Sequence, residues 1–541
     1  MANSKLQVIT TARPFGGWIS TLSGTGSGTA PAAALEGNTD QYTYSVAISL
    51  FRLEKMGHIA PGEVLNPITD SNSYITALAM NGDVASTGNS FIVLQNGRVI
   101  ETFTDGSSVI DYIVPTAHAA NTISTSVNVD TIVIKDAAST PNEYVIATWQ
   151  DSGNTADAMI FKVGTNGAWS QKKSDWFSGG SSANYLVALA SPGQIPHKMC
   201  QGPDGNVYIT NGQYIAAATM AAGVSLGAST NTPQALNLGA GWVSTGIVPY
   251  KNWLAIIGHK ATTYISGVSR SLVRVWLWDG FSGDPRFIFD IPDNFANGIY
   301  FDGKELFAFT SGRNNTGKIH KFNGSSFELL FENGFANFSS NFLQGSMETY
   351  QNSVLMGYMS NSEGHLRQWF QNGFHDRTIL KDSTTSATAV GMVKNLYVNQ
   401  LFVGVTVGGT NKILYQNQFT QYYVGAGIRL RLIDTPYKSK HKKTIIYFSQ
   451  FGSGASLEVN FFKDYSSPNH GGSTDEFRIA TGTPLQIDNA HLGAVSAWVI
   501  EKEITDINSL YMDINFNHTS TSATAAIIRK IETYIETTDQ V

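Results

Sequence analysis

The sequence predicts an all-β chain: a β-propeller of about six or seven blades, with an N-terminal arm and a C-terminal β-sandwich. Three observations point there. The 541 residues carry 52 glycines, 11% aromatics and only 14% charged residues, a mix that suits many short strands joined by tight turns. Hairpin signals recur, as in KIHKFNGSSFELLFENG, where apolar runs flank Asn323-Gly324. Finally, an apolar strand behind a polar turn returns at Val207, Leu254, Leu306, Leu355 and Leu401, a period of roughly 46–52 residues, the length of a four-stranded blade.

Residues 1–70 form the arm and lead-in segment. They include STLSGTGSGTAPAAALEGNT, which has no apolar periodicity and reads as a loop, either a plain tail or a partner-gripping arm. Residues 71–424 form the propeller. Its hairpins are expected to turn at Asn96-Gly97, near Asn166-Gly167, at or just after Asp279-Gly280, at Asn323-Gly324, at Asn372-Gly373 and around Asn417. Lone four-stranded sheets cannot bury both faces, and radial stacking gives each face a neighbour. The small residues of the run Ala308–Gly312 would suit a crowded axis. A long sandwich or solenoid without radial closure is the competing architecture. Residues 425–541 change character and contain seven alternating segments, from GIRLRLIDTPY to ATAAIIRKIETYIE, as a separate sandwich would. In SLEVNFFKDY, Leu457, Val459 and Phe461 alternate with Glu458 and Asn460, the pattern of a half-buried strand.

The chemistry of the sequence is mostly an absence. It has no P-loop, no G-x-S-x-G elbow, no H-E-x-x-H, no calcium-loop pattern and no regular Trp-Asp repeat. Cys200 is the single cysteine and reads as a small core residue, so no intramolecular disulfide or thiolate metal cluster is possible. His365 and His375, with Asp376, flank one hairpin but read as hairpin polarity and not as a metal site. Glu501 and Glu503 share a strand face and read as a solvated edge. No catalytic residue, cofactor or metal is expected. Trp276, Trp278, Phe281, Phe287, Tyr415 and Phe419 are candidates for a sugar-stacking platform, with cross-strand packing the favoured role. The one charge cluster is YKSKHKK, which places Lys438, Lys440, Lys442 and Lys443 around His441 in a chain of net charge −6. It is the candidate partner-contact patch, for an acidic protein or for phosphates, set against a lysine-guarded strand edge. The N-terminus lacks a signal-peptide core and no apolar run approaches membrane-spanning length, so synthesis in a cytoplasm is expected.

Three segments carry a family resemblance: PFGGWIST with GHIAPGE near the N-terminus, the blade series from Ser73 to about Val424, and ASLEVNFFKDY with SLYMDINFNHTSTSATAAIIRKIETYIE near the C-terminus. Together they resemble the tail nozzle, or tail hub, proteins of short-tailed bacteriophages. The resemblance implies a non-enzymatic virion protein of the tail, made in the host bacterial cytoplasm. It implies a ring, commonly of six copies, through which genome DNA leaves without being read. Adaptor and fibre proteins would be its other partners. A virion protein that binds a receptor or glycan is the alternative, and a propeller-class glycan lyase or hydrolase is a third reading.

Overall fold

The computed structural model describes the strands named below and, with their connecting loops, residues 196–219, 232–263, 269–312 and 317–332. Among the described residues the secondary structure is β-strand throughout, and it forms seven consecutive antiparallel blades. The first runs from Ile75–Met80 to Val109–Tyr112, and the second from Thr131–Lys135 to Val187–Leu189. The third to sixth begin at Met199–Gln201, Trp242–Tyr250, Phe295–Phe301 and Met347–Tyr350. In these six blades the strands pair in chain order, each with the next.

The seventh blade differs. Thr385–Tyr397, Gln400–Val407 and Thr410–Gln416 supply three long strands, the two-residue strand Lys381–Asp382 pairs with the first of them, and the outermost strand is Ile59–Leu65, from before the first blade. Gln416 pairs with Ile59 and Tyr415 with Ala60, and the register then shifts before Ile413 meets Leu65. Pro61 lies inside that shift, on the outermost strand, where a missing backbone N–H costs no ladder bond. Thr385–Tyr397 also contacts the first strand of the first blade, Ile75–Met80, so the ring closes. This decides against an open sandwich or solenoid.

The burial pattern explains why each blade needs two neighbours. Leu306–Ser311, the second strand of blade five, is buried along its whole length. Leu306 and Ala308 pack toward blade four, against Ala255 and Ile257. Phe307 and Phe309 pack toward blade six, against Val354 and Met356. Successive side chains of a strand point to opposite faces, so one strand serves two cores. Val207–Asn211 does the same, with Ile209 packed toward blade two and Tyr208 toward blade four.

The expected arm of residues 1–70 needs correction, because its described parts are strands of other units. Ile59–Leu65 belongs to the propeller. Lys5–Thr10 pairs with Ile528–Thr537, and Gln41–Val46 pairs with Ala426–Phe448, both in the C-terminal sheet. Much of the Gly/Ser/Thr/Ala stretch lies outside the described residues. The C-terminal segments also join up differently. GIRLRLIDTPY and KTIIYFSQF are one strand, Ala426–Phe448, and SAWVIEKEI and SLYMDINFNH are another, Ala497–His518. These two pair along most of their length, with register shifts between Arg431 and Lys443; the largest skips from Asp434 to Ser439, and the next, from Ser439 to His441, lies opposite Asp506, whose φ is 57°. The sheet folds over there. Ile504 and Met512 would stand about 26 Å apart on a straight strand. Yet their partners across the ladder, His441 and Phe461, have ring centroids 5.4 Å apart. The two layers of the sandwich are therefore halves of one folded sheet. Leu457, Val459 and Phe461 are buried as expected; Asn460 is buried as well. EFRIATG lies outside the described residues.

Candidate functional site

The lysine cluster lies mid-strand in Ala426–Phe448, between Ala497–His518 and Ile528–Thr537, and not on an open edge. Lys440 forms an ion pair with Glu503. Lys442 pairs with Glu536 at 2.9 Å, which raises its pKa, and the Lys443 ammonium sits 4.6 Å from the centre of the Tyr534 ring. Lys438 is exposed. Next door, Glu532 accepts hydrogen bonds from Tyr447 and Tyr534 and pairs with Lys530. The charges thus alternate across the face and neutralise one another, which weakens its claim as a phosphate-binding patch. Ser439 and His441 are the buried residues described in this run. The His441 Nδ1–H donates to the Lys502 carbonyl at 2.5 Å, Nε2 accepts from Thr444 Oγ1 at 2.8 Å, and burial lowers its pKa. Glu501 and Glu503 are exposed, as a solvated face would have them.

A second polar cluster escaped the sequence reading. Asp293, in the crossover from blade four to blade five, is buried. Its carboxylate accepts from Thr310 Oγ1 at 2.5 Å and Lys318 Nζ at 2.9 Å, and lies 2.8 Å from His320 Nε2. Burial alone would raise its pKa, but the bonds from His320, Thr310 and Lys318 outweigh that and take it down to about 2. An Asp, a His and a hydroxyl together invite comparison with a nucleophilic triad. Here the hydroxyl donates to the carboxylate and all three groups are buried, so no activated nucleophile faces a substrate.

The cluster belongs to a series of pins. Thr148, Thr210 and Thr310 each lie in the second strand of a blade, and each hydroxyl holds the crossover into a first strand. Thr148 accepts from Asp130 N at 2.8 Å and donates to the His197 carbonyl at 2.9 Å. Thr210 accepts from Lys198 N at 2.8 Å and donates to the Pro196 carbonyl at 2.7 Å. The signal was the Thr of ATW, ITNG and FTSG. The threonines there therefore serve the crossovers, and Ala308 packs in the core between blades.

His365 and His375 do not face each other: His365 pairs in register with Ile379, and His375 with Gln368. Among the described residues no group of His, Cys, Asp and Glu has metal-ligand geometry. Cys200 is buried, and burial raises its pKa.

The candidate aromatics separate into two sets. Trp276 and Trp278 are core, packed edge-on against Trp242 at 4.9 Å and Tyr208 at 5.5 Å. Phe281 is 85% exposed, against the packing expectation, and Phe287 is 48% exposed. Phe281 stands on a fixed loop. Asp279 Oδ1 accepts from Phe281 N at 3.0 Å and Ser282 N at 2.7 Å, Gly280 takes φ 89°, and Trp278 Nε1 donates to the Ser282 carbonyl at 2.7 Å. Phe287 meets Trp253 edge-on at 5.6 Å. The side chains of Tyr415 and Phe419 lie outside the described residues.

No family model and no curated relative matches the chain. Among solved structures it is similar to the Dos1 propeller, at 11% identity and a TM-score of 0.26, covering 63% of this chain and 66% of that one. It is also similar to Raptor from Chaetomium thermophilum, at 11% identity and a TM-score of 0.38, covering 63% of this chain and 28% of that one. The chain thus spans just under two thirds of the first and little more than a quarter of the second.

Proposed function

We propose that the chain is a non-enzymatic structural protein of a virion tail. In this reading it assembles as a ring of six copies that lets genome DNA pass and offers its flanks to adaptor and fibre proteins. The observation that carries the reading is the way the chain fastens itself. Ile59–Leu65 completes the seventh blade, while Lys5–Thr10 and Gln41–Val46 are built into the C-terminal sheet. Opening either unit therefore means stripping a strand held by the other end of the sequence, a construction suited to a wall that must resist pulling. The polar clusters support the same reading, since each is spent on crossovers or on cross-strand pairing. Native mass spectrometry with electron microscopy of the purified chain tests it. Closed rings with an opening wide enough for a DNA duplex support the proposal. A monomer that stays monomeric when mixed with candidate tail partners removes it.

A further inference from the structure

The outer rim of blade four combines exposed aromatics with cations that lack a carboxylate. We propose that this rim binds an anionic saccharide, with Phe281, Phe287 and Trp253 stacking on sugar rings and Arg286 and Lys251 holding an acidic substituent. The first-to-second and third-to-fourth strand connections of a meander lie at the same end of the blade, so Lys251 and Trp253 share that end with residues 279–287. Phe281 is presented on the pinned loop already described, so little ordering cost remains for binding.

The charges point to the ligand class. Three other cations of blades four and five are matched, Arg274 with Asp290 at 2.5 Å, Lys318 with Asp293 at 2.9 Å and Lys321 with Glu305 at 2.7 Å, whereas Lys260 and Lys304 stand apart from the aromatic rim. Among the described residues the Arg286 guanidinium has no such partner, and the Lys251 ammonium meets only the Tyr250 ring, at 5.2 Å. Lys251 also holds φ 54° at its hairpin tip, a conformation more readily taken by glycine. An Arg fork matches a carboxylate or sulfate with two parallel hydrogen bonds. Asp284, exposed on the same connection, supplies an acceptor for sugar hydroxyls. A pyranose offers an apolar C–H face and a polar rim, and this alternation of rings and polar groups fits it better than the dry apolar centre of a protein interface.

The test is calorimetric titration of the full chain with tetragalacturonate, sialyllactose and a heparin disaccharide, with maltotetraose as the neutral control. The expected result is saturation by at least one acidic sugar, and binding of maltotetraose weaker by about tenfold or more. Arg286→Ala and Arg286→Lys should each weaken the acidic sugar by about tenfold, and Phe281→Ala by several-fold, with circular dichroism unchanged. No saturation by any acidic sugar overturns the proposal, as does binding indifferent to all three substitutions. Sedimentation of the same samples covers the other occupant. If Phe281→Ala abolishes self-association and no sugar binds, the rim is a contact between copies of the chain.

Discussion

The hydroxyl of Tyr208, in blade three, lies 3.2 Å from the carbonyl oxygen of Gly280, in blade four, and shares its one proton between that carbonyl and Asp204 Oδ2 at 2.8 Å. Two blades are thus tied at one end by a single phenol. Gly280 is needed twice over: its φ is 89°, and a Cβ there would stand 2.6 Å from the Tyr208 hydroxyl. Gly280→Ala should destabilise the fold by about 2–3 kcal/mol and Tyr208→Phe by about 1 kcal/mol, read from chemical denaturation. Equal small effects would show that the phenol does not join the blades.

Asp293 gives the propeller an acid limit. Its folded pKa, about 2, lies below the ordinary aspartate value, so its contribution is fully present above about pH 4 and is lost as pH falls through about 2. Asp293→Asn should cost about 2 kcal/mol at pH 7, and the gap from the parent should shrink toward zero near pH 2. A gap that stays constant with pH would contradict this account.

Within YKSKHKK the histidine should matter more than the lysines. His441→Ala leaves a cavity beside Phe461 and strands the Lys502 carbonyl, at a cost of about 2–3 kcal/mol. Lys442→Ala removes an ion pair between solvent-facing groups and should leave the melting temperature essentially unchanged. Thermal melts of the two variants decide between them.

The pairing of Val8 with Tyr534 can be trapped. The double variant Val8→Cys, Tyr534→Cys should form a disulfide on mild oxidation and raise the melting temperature, because it closes a loop of more than 500 residues. Native Cys200 is buried and should not compete. Free thiols persisting under oxidation would show that the two strands do not pair.

Where the sequence carried a local signal, the fold was legible. Gln95 pairs with Arg98, on either side of Asn96-Gly97, as the expected hairpin requires. Asn323-Gly324 also turns, but through a four-residue loop with Phe322 paired to Phe327. Gly324 alone takes positive φ there, and Asn323 Oδ1 accepts from Ser325 N and Ser326 N. Asp302-Gly303 repeats that geometry between Phe301 and Leu306. At Asn372-Gly373 the expected turn is corrected in part, because Gly373 is itself a strand residue paired with Phe370. Asn166-Gly167 and Asn417 lie outside the described residues. What could not be read were partners distant in sequence. Nothing near GHIAPGEV says that its ladder partner is Tyr415, and nothing near Asp293 announces His320. Pairing of that kind is decided by which edge is left open once the local strands have formed.

The pairing of Lys5–Thr10 with Ile528–Thr537 also bears on synthesis. The two strands are about 520 residues apart, and at 5–20 residues per second the first leaves the ribosome roughly half a minute to two minutes before its partner exists. Ile59–Leu65 likewise waits for Thr410–Gln416. Until then both expose open backbone edges, which are sticky and open to proteases. A chain that stalls before residue 528 can close neither its terminal pair nor its folded C-terminal sheet. The fold therefore works as a length check: a translation product that stops short of residues 528–537 keeps a loose strand for the degradation machinery to grip, and one that includes them does not.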